Sequence, residues 1–234
     1  AQVKGLLTSE QTEQLLQTPA VYHGSINDVL LAALGLALHD WSADQFSYNL
    51  GDPLVALEGH GREGDVDLTR SVGWFTSVFP LRLNVADIDH TKADRSGHAI
   101  QRVKEQLRAL PDKGIGYGIL RYLDPENPID NNLPQPQIAF NYLGRFEKHN
   151  RSDSAWNIAQ GGMISSGDIE ERRPLYLIEI NSVVNNEGKF EFYINYSSIA
   201  FNSTTINALA DNLVGSLNEL INHCIKAPLT NRKT

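Results

Sequence analysis

The segment from Ser25 to Trp41 constrains the fold of this chain more than any other. Val29, Leu30, Ala33, Leu34, Ala37, Leu38 and Trp41 recur at the three-to-four spacing of a buried helix face. Leu31 and Leu36 widen that face around most of the helix, and acidic Asp28 stands in its first turn. A helix that is apolar on most sides has to be covered on most sides. The rest of the chain must therefore supply the layers that cover it, and 234 residues are enough for one such core.

Several segments can supply those layers. Thr8-Ser9-Glu10-Gln11 has capping-box spacing and opens a short helix through about Gln17. Gln45 to Leu50 and Leu54 to Leu57 are short apolar runs read as strands, the second leading directly into Glu58. A Gly-rich, charged loop follows to about Arg70. Thr76 to Val85 is a further strand that Pro80 confines to an edge, a bulge or a strand end. Ile100, Val103, Leu107 and Leu110 mark a helix stopped by Pro111, and Gly114, Gly116 and Gly118 then read as a flexible loop. Gln137 to Leu143 reads as a buried strand, and Arg145 to Glu171 as a long polar loop.

The clearest local signal comes last. Pro174 to Val184 and Lys189 to Ser198 flank Asn185-Asn186-Glu187-Gly188, a hairpin in which Phe190, Phe192, Ile194 and Tyr196 alternate with polar residues. A final helix, capped near Asn202 or Ser203, carries Ile206, Leu209, Leu213, Leu217, Leu220 and Ile221 on one side. Helices and strands are interspersed and one hairpin is antiparallel, which predicts a mixed α/β fold with a layered sheet. Residues 1–226 read as one unit and 227–234 as a linker or tail.

Composition narrows the function. A net charge of −8 argues against nucleic acid, whose phosphates call for clustered Lys and Arg. No run approaches the ~18 apolar residues of a membrane span. The single cysteine, Cys224, excludes an internal disulfide or a cysteine-rich zinc site and reads as packing; the expected compartment is the cytoplasm. The chain begins at Ala1 without a signal-peptide pattern, which fits a piece of a longer polypeptide.

Chemistry concentrates at Glu58-Gly59-His60-Gly61-Arg62-Glu63. A carboxylate at the end of a buried strand is placed for a raised pKa, and the flanking glycines let a substrate or another backbone come close. The alternative is a surface loop in which Glu58 or Glu63 pairs with Arg62. His60 with Glu63 offers too few ligands for a metal. Gly114 to Gly118 lacks the spacing and the Lys-Ser/Thr ending of a phosphate loop. Asn141-Tyr142, at the end of the strand Ile138-Ala139-Phe140, can donate hydrogen bonds to a developing oxyanion, although a tyrosine there also serves as core. No Gly-x-Ser-x-Gly occurs, so a serine hydrolase has no support.

The order of the motifs adds to their individual content. Asp28-Val29-Leu30-Leu31-Ala32-Ala33-Leu34-Gly35 is followed by the Glu58–Glu63 block and by Arg70-Ser71-Val72-Gly73-Trp74-Phe75-Thr76. Pro111-Asp112-Lys113-Gly114-Ile115-Gly116-Tyr117-Gly118 and Phe140-Asn141-Tyr142-Leu143-Gly144 complete the succession. It resembles the later signature motifs of the epimerization domains of nonribosomal peptide synthetases, from about residue 5 to Cys224. Ser71 stands where that family usually has Thr. The family's earlier motifs, including a His-His-x-x-x-Asp-Gly segment, are not in this sequence.

The resemblance implies the C-terminal lobe of a two-lobed, chloramphenicol-acetyltransferase-like architecture with its active site in a tunnel between lobes. It implies inversion at Cα of an aminoacyl or peptidyl thioester by deprotonation and reprotonation, with Glu58 as acid/base on one face. Tyr142, with Asn141 beside it, becomes an oxyanion donor or orienting group, while His60, Arg62 and Glu63 support the loop. No bound cofactor is implied; the substrate rides on the phosphopantetheine of a peptidyl carrier domain. The N-terminal lobe of the same domain is the other expected partner. Two alternatives remain at this point: an amide-forming condensation lobe, and a noncatalytic lobe that docks carrier domains.

Overall fold

The computed structural model of the chain describes residues 1–46, 50–62, 67–92, 94–126, 129–130, 132–145 and 175–226. Its central helix, α2 (Ile26–Phe46), buries every residue from Asp28 to His39, as its all-round apolar sequence requires. The N-terminus of α2 is closed by a reciprocal pair. The Asp28 backbone N–H donates to Ser25 Oγ at 3.3 Å, and the Ser25 N–H donates to Asp28 Oδ2 at 2.5 Å.

Three helices surround it. α1 (Ser9–Val21), α3 (Arg95–Ala109) and α5 (Ser203–Lys226) all touch α2, and α5 also lies against the sheet. α1 begins with the expected capping box, Thr8 accepting from the Gln11 N–H and Gln11 reaching back to the Thr8 N–H. It runs past Gln17 to Val21 despite Pro19. The hydroxyl of Thr18 explains this: it donates to Leu15 O at 2.6 Å, the carbonyl that Pro19 has no N–H to satisfy. α5 starts where Asn202 Oδ1 accepts from the Thr205 N–H. Near its end, burial pushes the Cys224 thiol up to about 11, so this cysteine is a packing residue.

Among the described residues the sheet has six strands in the order β1 (Gln2–Leu6), β6 (Phe190–Tyr196), β5 (Ile178–Val184), β4 (Ile138–Arg145), β2 (Leu54–Gly59), β3 (Ser77–Arg82). β2, β4 and β5 are mutually parallel neighbours, and the remaining pairs are antiparallel, so the sheet is mixed as predicted. β3 is one edge of this sheet, and Pro80 sits there without breaking a ladder. The β5–β6 hairpin forms with Ile178 opposite Tyr196 and Val184 opposite Phe190.

One sheet face is apolar and packs under the helices: Val55, Leu57, Phe79, Leu81, Ile138, Phe140, Ile178, Ile180, Phe190, Phe192 and Ile194 all join the core. The register puts Glu58, Asn141, Glu179, Asn181 and Tyr193 on the other face. This two-layer arrangement decides which residues are available for chemistry.

Two sequence expectations are corrected and one strand is added. Gln45 and Phe46 belong to the end of α2 rather than to a strand, because the Phe46 ring packs edge-on against Trp41 at 5.2 Å; residues 47–49 lie outside the described residues. The glycine run from 114 is not a flexible loop. A 3-10 turn, Pro111–Gly114, leads into α4 (Gly116–Tyr122), which packs on β3. Gly114 takes φ +85°, and the Phe79 ring fills the space where a Cβ would stand, 2.5 Å from its atoms. β1 was not foreseen; it pairs with β6, and Phe192 lies across its Gly5. The expected loop after Arg145 and the expected tail at 227–234 fall outside the described residues. Among the described residues no single helix is long and apolar enough to cross a membrane.

Candidate active site

At the C-terminal ends of the parallel strands β2 and β4 the sheet opens into a cavity of about 900 Å³. The start of α2, the end of α3 and the segments following β2 and preceding β3 form its walls. Carboxyl ends of parallel strands are where open α/β sheets place ligands, because the chain turns away there and leaves a crevice.

Glu58 lines this cavity as the penultimate residue of β2. Val55 and Leu57 are buried on the helix side, so strand alternation turns Glu58 to the other side. Asn141, two strand positions past Ala139 on β4, comes beside it, and its Nδ2 donates to Glu58 Oε2 at 2.8 Å. Partial burial raises the Glu58 pKa above the ordinary carboxylate value, and the charge of Glu179 adds in the same direction.

Tyr142 also lines the cavity but belongs to the opposite strand face. Its half-buried ring packs toward Phe190, centroids 6.4 Å apart. Burial raises its phenol pKa, against the opposing pull of Arg145, so the hydroxyl stays protonated at neutral pH and can donate. Asn141 and Tyr142 are thus split between two tasks: the amide is engaged by Glu58, and the phenol is turned toward the helix side.

The loop after β2 takes its shape from Gly61 and Arg62. Gly61 has φ +64°, and a Cβ there would lie 1.5 Å from the carbonyl oxygen of Phe75. Arg62 donates to Ser71 O at 3.0 Å and lies 4.4 Å over the Phe75 ring. The Glu58–Arg62 ion pair considered from sequence is therefore not formed: Arg62 is held by the Ser71–Phe75 segment and Glu58 by Asn141. His60 is exposed and lines the cavity, while Glu63 lies outside the described residues.

Two residues on β5 escaped the sequence reading. Asn181 Nδ2 donates to Glu179 Oε1 at 3.0 Å, on the same sheet face as Glu58 and Asn141. The signal was Glu179 alternating with buried Ile178 and Ile180, but only the strand order shows which carboxylate it neighbours.

One group of possible metal ligands exists among the described residues, His39, Asp40 and His90, and it does not line the cavity. The two imidazoles are stacked 3.4 Å apart with their planes 2° from parallel. Their in-plane lone pairs cannot converge on one point in that arrangement, and Arg95 already holds Asp40 at 3.1 Å. The geometry suits an ion-paired tie between α2 and α3 rather than a shared metal.

A family model described as Condensation domain matches residues 2–230. The chain is 38% identical over 230 residues to surfactin synthase subunit 1 of Bacillus subtilis, covering 94% of the chain and 6% of that protein. It is 37% identical over 227 residues to tyrocidine synthase 2 of Brevibacillus parabrevis, again covering 94% of the chain and 6% of that protein. It thus spans a small fraction of the curated relatives it matches. Among solved structures, the epimerization domain from the third module of tyrocidine synthetase B superposes with a TM-score of 0.80 at 34% identity; the match covers 96% of this chain and 48% of that one. The first condensation domain of the CDA synthetase superposes with a TM-score of 0.58 at 16% identity, over 94% of this chain and 45% of that one, a likeness of fold alone.

Proposed function

The chain belongs to the condensation-domain family, and from that premise we propose that it is the C-terminal lobe of an epimerization domain. Such a domain interconverts L and D forms of an aminoacyl or peptidyl thioester presented on the phosphopantetheine of a carrier domain. The observation that carries this reading is Glu58, held by Asn141 at the mouth of the cavity. The higher identity to an epimerization domain than to a condensation domain supports it.

Inversion requires that the Cα proton leave on one face and a proton return on the other. That proton is weakly acidic even beside a thioester carbonyl, so a base works only if the enolate oxygen is stabilised as it forms. Glu58 is fixed in direction by the Asn141 amide, and its raised pKa brings its two protonation states closer in energy near neutrality. It serves as the acid/base on one face. Tyr142, with a protonated phenol, donates to the enolate oxygen or orients the thioester. The group on the other face belongs to the N-terminal lobe.

The test uses a protein carrying both lobes and a carrier-bound L-aminoacyl substrate. Glu58→Gln keeps size and hydrogen bonding but cannot take a proton. Conversion to the D form and exchange of the Cα proton with deuterated solvent should fall by at least ~100-fold, the low end of what a placed acid/base contributes. Undiminished exchange would exclude the epimerization reading and leave amide formation or carrier docking.

A further inference from the structure

We infer that Glu179 is a positioning residue of this site: a second carboxylate, held by Asn181 on the same sheet face, that acts on Glu58 through space. The inference rests on the acid/base reading of Glu58 and names a residue that sets its working state.

Leu57 pairs with Phe140 across β2 and β4, which brings the next pair, Glu58 and Asn141, onto one face. Asn141 in turn pairs with Asn181, and Ala139 with Glu179, across β4 and β5. Glu58, Asn141 and Asn181 therefore share a row across three strands, with Glu179 one pleat lower. Each asparagine commits its amide to one glutamate: Asn141 to Glu58 at 2.8 Å, Asn181 to Glu179 at 3.0 Å. Both carboxylates are oriented by neutral donors, so neither bond cancels its charge.

A fixed negative charge on that face opposes ionisation of Glu58, in addition to the larger effect of burial. Arg108 and Lys113 line the same cavity, and Arg108 donates to His23 O at 2.6 Å; the causes that move Glu58 are burial first and then the charge of Glu179. β3 places Val78 opposite it. Tyr176, just before β5, interacts with Glu58, Tyr122, Glu179 and Tyr117, and its phenol pKa is raised, burial being the main cause. His60 is two residues further along the chain. A base that must also return a proton benefits from a pKa nearer the working pH, and Glu179 supplies part of that adjustment.

Carboxyl 13C NMR of glutamate-labelled chain reads the effect directly, with Glu58→Gln identifying the Glu58 signal. The Glu58 midpoint should fall in Glu179→Gln and fall further in Glu179→Lys, and the differences should shrink in 1 M KCl, where screening is strong. In the two-lobed protein the ascending limb of the epimerization pH profile should move to lower pH in the same order. A Glu58 midpoint unchanged in both variants would overturn the inference. Retained turnover in Glu58→Gln would instead remove the epimerization reading while leaving the NMR result standing, so the two failures are separable.

Discussion

Gly61 illustrates how one residue without a side chain holds a cavity-lining loop. Its positive φ and the Phe75 carbonyl 1.5 Å from a hypothetical Cβ leave no room for any other residue. Gly61→Ala should strain or displace the loop by on the order of 1–3 kcal/mol. Amide hydrogen exchange at Arg62 and Phe75 should then quicken by about tenfold or more, since ~1.4 kcal/mol corresponds to a factor of ten, while α2 and α5 stay protected. Unchanged exchange in the loop would mean that the contact with Phe75 is not what orders it. At this scale the sequence was partly legible. Glu58 at a strand end, glycines beside it and Asn141-Tyr142 at another strand end were all visible as residue types. Their pairing was not, because the Glu58–Asn141 bond joins positions 83 apart in sequence and depends on β2 and β4 being neighbours. Glu179 was missed for the same reason. An isolated glutamate between two isoleucines looks like any solvent-facing strand position until its neighbours across the sheet are known.

Helices and strands with strong local signals were the ones read most accurately. The capping box of α1, the all-round apolar α2, the hairpin of β5 and β6 and the edge position of Pro80 each follow from short-range pattern. Two of the misread elements are shaped by distant contacts, β1 depending on β6 and α4 on β3, whereas α2 extends to Phe46 through packing on Trp41 within the same helix. What ties the helical layer together is likewise long-range. Arg95 at the start of α3 binds Glu219 of α5 at 2.5 Å and Asp40 of α2 at 3.1 Å, and Ser96 adds a hydrogen bond to Glu219. The Arg95 hydrogen bond holds the Glu219 pKa below the ordinary value. A depressed folded-state pKa contributes stability above the unfolded value, and that contribution is lost as pH falls through the folded one. Glu219→Gln should therefore be less stable than wild type at pH 7, and the two should converge at acid pH. Breaking a fully buried pair costs about 3–5 kcal/mol. With 35% of the Glu219 side chain still exposed, the loss at pH 7 should be about 1–2 kcal/mol after discounting for solvent screening. Urea unfolding at pH 7 and again below the Glu219 midpoint measures it; an equal deficit at both would show that charge is not the cause.

As a whole molecule, the chain on the proposed epimerization reading would offer one half of a reaction centre. Its helices cover one sheet face, while the other presents Glu58, Asn141, Glu179 and the apolar Val78 and Leu143, 43% and 54% exposed. Trp74, 88% exposed, stands at the cavity wall. Under the proposed function, covering these exposed apolar side chains would lower the hydration around Glu58 and strengthen electrostatic stabilisation of an enolate. The match to the tyrocidine synthetase epimerization domain covers 48% of that chain, which is in keeping with the proposal of one lobe in two. Inversion also needs a proton donor on the face of Cα opposite Glu58, and one group cannot reach both faces of a planar enolate at once. The purified 234-residue chain should accordingly leave an L-aminoacyl carrier substrate unconverted and its Cα proton unexchanged over hours. Supplying the N-terminal lobe, joined or in trans, should restore both, and Glu58→Gln in the restored protein should remove them again. Rapid conversion by the chain alone would refute the half-site, because Glu58 and its neighbours would then be serving both faces of the substrate.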